Sequence, residues 1–388
     1  MSPATADGLL AGVRLLDLTN VLAGPYCAYQ FALLGADVIK VEAPDGGDLA
    51  RALGADADLN RAGMGASFLA QNAGKRSVVL DLKDAGDRDR FLTLVDSADA
   101  LVENFRPGVM DRLGLGPQAL QARNPRLVYC AISGFGQTGP MRGNPAYDQI
   151  VQGLSGVMSI TGTAQVAPLR AGYPVADTLG GMVGAFAIAA ALVRARATGQ
   201  GAVLDVSMLE SMLSAMGWPV SNWLTAGVEP APMGNDNMTA APSGTFRTGE
   251  GLLNIAANKQ EQFVALVRLI GRPDLATDPR FANREARKSH RAALTAEIET
   301  ALADESAEAW ESRLNAAGVP AGRVLTIPQV LAEPQVIARD LLHRFDEVPG
   351  ADRPLTVLRG GFLVDGAAPV PQRPPPRLGE HQDEVLGP

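Results

Sequence analysis

Arg14-Leu15-Leu16-Asp17-Leu18-Thr19, then Asn20-Val21-Leu22-Ala23-Gly24, Pro25, residues 26–34, Gly35 and Ala36-Asp37-Val38-Ile39-Lys40-Val41-Glu42 read as strand, turn, helix and strand. The two apolar runs have the length of strands. Pro25 suits a first helical turn, where its missing N–H is not needed. Gly35 supplies a C-terminal stop. Two strands joined through a helix lie parallel. The alternation continues, with strands expected at 77–82, 100–105, 126–132 and 202–208 and helices at 84–97, 117–123 and 209–216. This is the signature of an open, doubly wound, Rossmann-like α/β sheet. Ligands of such sheets gather at the carboxyl ends of the strands, here 19–24, 42–48, 103–107 and 133–140.

Around this unit the chain changes character. Residues 177–196 form a long helix rich in Ala and Gly that reads as buried on most sides. The 217–251 stretch carries Pro219, Pro230, Pro232 and Pro242 and reads as linker and loop. A strand at 252–257 and amphipathic helices at 259–270, 289–303 and 306–317 mark a smaller α+β domain. Residues 328–342 read as helix, and 343–388 as strand and proline-rich tail. The expected division is a large domain over 1–200, a linker over 201–224, a small domain over 225–325, and a linker and C-terminal part over 326–388.

The 388 residues correspond to two or three domains at roughly 150 residues each. Hydrophobic residues make up 46% and charged residues 20%, with a net charge of −8, so the composition is globular and argues against bulk nucleic-acid binding. Two cysteines and three scattered histidines give neither a disulfide scaffold nor a metal-ligand spacing. The first eight residues lack the regions of a signal peptide. The most apolar run, 181–193, is short for a membrane span. A cytoplasmic protein without membrane association is expected.

Four stretches carry candidate chemistry. Gly134-Phe135-Gly136-Gln137-Thr138-Gly139 matches G-x-G-x-x-G, but Pro140 follows where a dinucleotide fingerprint needs a helix. A tight loop approaching another ligand fits better. Gly74-Lys75-Arg76-Ser77 is either a phosphate-binding turn or a solvated basic one. Asp177, ahead of the apolar helix, is either an N-cap or a carboxylate nucleophile that the helix dipole keeps ionised. Tyr147-Asp148 offers a hydrogen-bond donor and either a ligand contact or a helix start. No Ser-His-Asp or Cys-His arrangement can be assembled.

Taken together, these stretches resemble the class III coenzyme A transferases, the formyl-CoA/carnitine-CoA transferase (CaiB/BaiF) family. The resemblance runs through Gly12 to Thr19, Ala23-Gly24-Pro25, Leu34 to Glu42, Gly47-Asp48, Asn72 to Ser77, Val102 to Gly108, Gly134 to Pro140, Asp177, Thr198-Gly199-Gln200-Gly201 and Pro376 to His381. It implies a large domain completed by the C-terminal tail, a small inserted domain, and two chains interlocked as a homodimer. It also implies an acyl-CoA:carboxylate CoA-transferase with acyl-CoA and a small carboxylic acid as substrates and no permanently bound cofactor or metal. Asp177 matches the family nucleophile, which forms covalent aspartyl intermediates. Leu22, Ala23, Leu80, Asp81, Leu82, Lys83, Asn104, Phe105, Arg106, Arg112, Pro145, Ala146, Tyr147 and Asp148 match segments that line the CoA site. Lys75 and Arg76 add charge nearby.

The related α-methylacyl-CoA racemases carry a His-Asp pair where this chain has Tyr147-Asp148. Tyr is a poor base near neutral pH, so transfer is favoured and an isomerase is the alternative. The region 233–251 lacks the glycine run of formyl-CoA transferases, and Leu22 replaces a polar residue. Both changes point away from formate and oxalate, towards small dicarboxylates and branched acids with a donor such as succinyl-CoA. Arg170 is the candidate for an acceptor carboxylate.

Overall fold

The computed structural model describes residues 8–387, which divide into two compact units. The first comprises residues 8–158, 170–230 and 334–387, and the second Ser159–Leu169 and Ala231–Glu333.

The first unit is built on a six-stranded parallel sheet of order β3-β2-β1-β4-β5-β6. The strands are β1 (Arg14–Leu18), β2 (Asp37–Glu42), β3 (Arg76–Val79), β4 (Ala100–Glu103), β5 (Val128–Ser133) and β6 (Ala202–Ser207). In β1, Leu15 packs into the core on one face while Leu16 and Leu18 pack into the core on the other. Both faces are covered, so the strands read as nearly continuous apolar runs rather than alternating ones. On one face lie α1 (Ala23–Leu33) and α6 (Val175–Thr198). On the other lie α3 (Ala85–Asp96) and α4 (Pro117–Arg123). α2 (Ala66–Asn72), α5 (Asp148–Leu154), α7 (Met208–Ala215) and α8 (Gly217–Ala226) complete the labelled helices of this unit.

Within 201–224, the expected linker, β6 and α7 fall at the strand and helix expected there, and most of α8 lies where loop was expected. Pro219 lies at the third position of α8, in the first turn, where proline is tolerated. The helix expected at 328–342 is two short ones, Ile327–Leu331 and Pro334–Ala338, followed by a strand, Leu342–Phe345. Pro334 interrupts the run because the residue before a proline is pushed out of helical conformation.

The apolar helix is also longer and less enclosed than expected. α6 has 24 residues, enough by length and composition to cross a membrane, and 44% of its apolar stretch is buried. Its inner side carries Gly180, Gly181 and Gly184. A Cβ on Gly181 would stand 2.4 Å from the Ala23 carbonyl oxygen, and one on Gly184 would stand 2.8 Å from Ile132 Cδ1. Glycine at these points is what lets α6 lie against α1 and β5.

The C-terminal tail covers the β3 edge. Gln382 accepts from the Val79 N–H (2.8 Å) and donates to the Val79 carbonyl (3.0 Å). His381 Nδ1 accepts from the Ser77 N–H (3.3 Å). Edge groups that would otherwise be open to another chain are thereby satisfied.

The second unit pairs an antiparallel sheet, β7 (Ser243–Arg247), β8 (Leu252–Ala256) and β9 (Ala321–Arg323), with α9 (Gln260–Leu269), α10 (Arg291–Leu302) and α11 (Ala307–Ala316) around its own apolar core. β7 falls within the 217–251 stretch that was read as loop.

Candidate active site

The order of strands reverses at β1, whose neighbours are β2 and β4. Chains leaving the carboxyl ends of β1 and β4 diverge, and a crevice opens between them. A cleft of about 340 Å³ occupies this point. Its walls come from residues 20–23 after β1, Leu49, 104–107 after β4, 132–135, Arg142 and 144–147 at and after β5, Asp177 and Met208.

The β1 wall is held from beneath by buried charges. Asp17, Lys40 and Lys75 are fully buried. Lys75 Nζ donates to Asp17 Oδ2 (2.8 Å) and to the Pro25 carbonyl (3.0 Å). Lys40 Nζ donates to the Thr19 carbonyl (2.8 Å) and pairs with Asp48 Oδ2 (2.9 Å). Burial alone raises the Asp17 carboxyl, but Lys40 and Lys75 beside it overcome that and hold it at about 2. Asp48 Oδ1 accepts the N–H of Val21 (2.9 Å), a β-branched residue with φ of 69°. That conformation is costly for Val, and the carboxylate fixes it. Asn104 pins the neighbouring peptide, accepting the Asn20 N–H (2.9 Å) and donating to its carbonyl (2.8 Å). The phosphate-binding reading of Lys75 and Arg76 therefore does not hold. Lys75 is committed to Asp17, and Arg76 pairs with Asp37 and Glu384.

Asp177 is the third residue of α6, and the N-cap is Pro174, which has no side-chain cap bond. The capping carboxylate belongs instead to Asp148, the first residue of α5. Its Oδ1 accepts the N–H groups of Ala176 (2.8 Å) and Asp177 (3.4 Å), and its Oδ2 accepts from Gln152 Nε2 (2.6 Å). Gln152 in turn accepts the Ala171 N–H (2.9 Å). Asp177 is left with its carboxyl at the cleft. Burial, and then the charge of Asp148, push that carboxyl up to about 7. The helix dipole expected to keep Asp177 ionised is opposed here by burial and by Asp148, which already occupies the first N–H groups and adds a like charge.

The glycine loop after β5 is not a dinucleotide fingerprint. Gly136 (φ 86°) and Gly139 (φ 81°) turn the chain. The Gln137 N–H donates to both Asp205 carboxylate oxygens (3.0 and 2.9 Å). The next helix begins only at Asp148.

With this geometry in view, comparison with known proteins identifies the chain's relatives. The family model described as CoA-transferase family III matches residues 10–382. The chain belongs to that family. An acetyl-CoA:oxalate CoA-transferase of Acetobacter aceti is 40% identical over 360 residues, covering 92% of this chain and 91% of that protein. A succinate–glutarate CoA-transferase of Agrobacterium fabrum is 37% identical, covering 97% and 94%. The crystal structure of a CaiB/BaiF family protein from Brucella suis superposes with a TM-score of 0.84 at 34% identity, covering 98% of this chain and all of that one. The chain is an enzyme that transfers CoA, on a mixed α/β fold with a parallel six-stranded sheet.

In this CoA-transferase, nine of the residues singled out in sequence line the cleft together: Leu22 and Ala23, Asn104, Phe105 and Arg106, Pro145, Ala146 and Tyr147, and Asp177. Tyr147 is 67% exposed. Arg112 lines a second cavity of about 490 Å³, which shares Arg106 and Arg142 with the first. Glu103 is in its wall, accepting from the Phe105 N–H (2.7 Å) and the Tyr129 hydroxyl (3.1 Å), and burial pushes its carboxyl up to about 7.

Leu80, Asp81, Leu82 and Lys83 follow the outer strand β3 and line neither cavity. Leu80 is core, and Asp81 accepts the Lys83 N–H (3.0 Å) in the turn before α3. Asp148 is buried beneath the site rather than on its surface. Arg170 lines neither cavity. Arg142 and Asn144 do line the cleft and were missed. They lie in a Gly- and Pro-punctuated loop, nine and eleven residues beyond the strand end at Ser133, where no pattern marks them.

Proposed function

We propose that the chain is an acyl-CoA:carboxylate CoA-transferase working through covalent intermediates on Asp177. The observation that carries the reading is a single carboxylate, Asp177, at the switch-point cleft, in the first turn of α6 and anchored through Asp148. An Asp177 oxygen attacks the thioester carbonyl, the C–S bond breaks, and a mixed anhydride and CoA thiolate form. The thiolate attacks the aspartyl carbonyl of the anhydride and releases the donor acid as its carboxylate, leaving an aspartyl-CoA thioester. The acceptor carboxylate attacks that thioester and frees the thiolate. The thiolate then takes the acceptor acyl group and restores the Asp177 carboxylate. Thioester energy is retained throughout, and covalent steps divide one hard exchange into easier ones. We assign the N–H groups of Leu22 and Ala23, at the start of α1, as donors to the transient oxyanions.

The CoA ester is assigned to the walls around Leu22, Asn104–Arg106 and Pro145–Tyr147, with Arg112 in the adjoining cavity and the Leu80–Lys83 turn at the sheet's edge. Asp148 serves beneath Asp177. The relatives' names support small dicarboxylic acids with a donor such as succinyl-CoA. Oxalate, which the glycine-poor 233–251 region argues against, joins the panel because a 40% identical relative carries it in its name. We further propose a cytoplasmic, interlocked homodimer. The outward apolar residues Phe186 and Val193 of α6 and Trp218 and Leu224 of α8 are each more than 70% exposed in the single chain and support it.

The test is acyl exchange. Purified protein, with Asp177→Ala in parallel, is incubated with succinyl-CoA and a panel of acids including oxalate, glutarate and mesaconate, and new CoA esters are followed by mass spectrometry. New esters from the wild type alone support the reading. Deuterium entering a branched acyl-CoA from heavy water, with no exchange for any pair, overturns it in favour of the isomerase. Against the isomerase stands Asp148, whose two oxygens are occupied by Ala176, Asp177 and Gln152.

A further inference from the structure

We infer that Arg142 is the residue that recognises the second carboxylate of a dicarboxylic acid and so sets the acid specificity of the cleft. The inference rests on the transferase reading above. Three charged side chains line the cleft: Arg106, Arg142 and Asp177. The Arg142 guanidinium makes no hydrogen bond or ion pair with any described residue. Most arginines of the first unit are engaged: Arg14 and Arg76 with Asp37, Arg51 with Glu42, Arg123 with Asp96. An arginine at a cleft with no protein partner is available to an anionic ligand.

The two cleft arginines come from different places. Both also line the second cavity, and neither guanidinium is paired with a described residue; Arg106 follows β4, within the Asn104–Arg106 segment assigned above to CoA. Arg142 comes from the loop that leaves β5, with Asn144, Pro145 and Tyr147 in the same cleft wall. That loop runs directly into Asp148, which fixes the first turn of α6 and hence Asp177. Arg142 therefore shares its loop with the residue that positions Asp177.

The charge change during the reaction gives this position its use. When Asp177 is esterified as anhydride or thioester, its negative charge disappears and the cleft keeps its cations. A monocarboxylate acceptor brings one charge and spends it on attack. A dicarboxylate brings a second, which a guanidinium fork binds through two parallel hydrogen bonds. The donor acid leaves from the site that the acceptor enters, so one subsite serves both. The enzyme then exchanges CoA between two dicarboxylic acids.

The test compares wild type, Arg142→Gln and Arg142→Lys. kcat/KM is measured for glutarate and succinate against butyrate and propionate, and the dissociation constant of CoA is measured by calorimetry. Arg142→Gln is expected to lower kcat/KM for the dicarboxylates about 10- to 100-fold more than for butyrate, the span of a charge-assisted hydrogen bond, with the loss in the acceptor KM and not in the affinity for CoA. Arg142→Lys recovers part of the loss, because the charge remains but the fork does not. Equal losses for both classes of acid, weaker CoA binding, no effect at all, or a wild type that prefers butyrate would each overturn the inference. If the wild type takes no monocarboxylate, the split between acceptor KM and CoA affinity decides. A wild type that exchanges no acid at all removes the transferase reading itself.

Discussion

At the residue scale, the proposed mechanism turns on the protonation of Asp177. Its nucleophile would be the carboxylate, and burial with Asp148 nearby holds the carboxyl at about 7. We predict that kcat/KM for the acyl-CoA rises about tenfold per pH unit below pH 7 and levels off above it. Asp148→Asn keeps an oxygen for the α6 N–H groups and removes the like charge, but sets its amide N–H against Gln152 Nε2. Its rate profile should shift its acid limb to lower pH, at a cost of about 1–3 kcal/mol for the lost Gln152 bond. Asp148→Ala should also lose the cap, at about 1–2 kcal/mol. A raised carboxyl binds its proton more tightly in the folded chain. Its contribution to stability is complete below the ordinary value of 3.8 and is lost as the pH rises through about 7. Asp177→Asn should therefore melt higher than wild type at pH 8, and the difference should vanish near pH 3. Lys75 gives the opposite kind of prediction. Lys75→Met leaves the buried Asp17 short of a partner and should cost about 3–5 kcal/mol in denaturant unfolding. The CoA affinity of the folded fraction should stay unchanged, whereas a phosphate-binding lysine would lose it.

At the element scale, the crossing of α1 and α6 couples stability to the site. Gly181 lies one helical turn beyond Asp177 and meets the Ala23 carbonyl, and Ala23 lines the cleft. The Ala23 carbonyl is backbone and cannot swing aside. Gly181→Ala should cost about 1–3 kcal/mol and depress kcat, read by calorimetry and acyl exchange together. Gly172→Ala, where a Cβ meets nothing within 4 Å, is the control and should leave the melting temperature close to wild type. A Gly181→Ala protein indistinguishable from that control would show that the helices can separate without consequence.

At the scale of the whole molecule, the outward residues of α6 and α8 provide the test of the proposed homodimer. If two chains bury these faces, the purified protein should sediment as a dimer at micromolar concentration. Trp218→Asp combined with Leu224→Asp should shift it to monomer with a lower melting temperature, since each buried side chain of this size contributes about 1.5–3 kcal/mol. A wild type that sediments as a monomer across that range would remove the dimer from the proposal.

The strands, the order of helices in the first half and the loops at the strand ends were legible because parallel strands buried on both faces are written as uninterrupted apolar runs, and Gly35, Asp84 and Pro117 mark helix boundaries locally. Asp177 was legible as an acid at a helix start. α8 was not, because a proline count over 217–251 cannot tell a first-turn proline from a breaker. The short helices between β2 and β3 carry too few turns for periodicity to show. Four things were decided only by tertiary structure. The network of Asp17, Lys40, Lys75 and Asp48 is assembled from segments up to 58 residues apart, so its lysines look like surface charges in the chain. The cap of α6 comes from Asp148, 28 residues upstream of the N–H it binds. The placement of Arg142 in the same cleft as Asp177 depends on how the loop after β5 folds. The raised Asp177 carboxyl follows from burial and a neighbour's charge. Local sequence sets local conformation through propensity and pattern; the field at an atom and the company it keeps are sums over distant parts of the chain that exist only once it has folded.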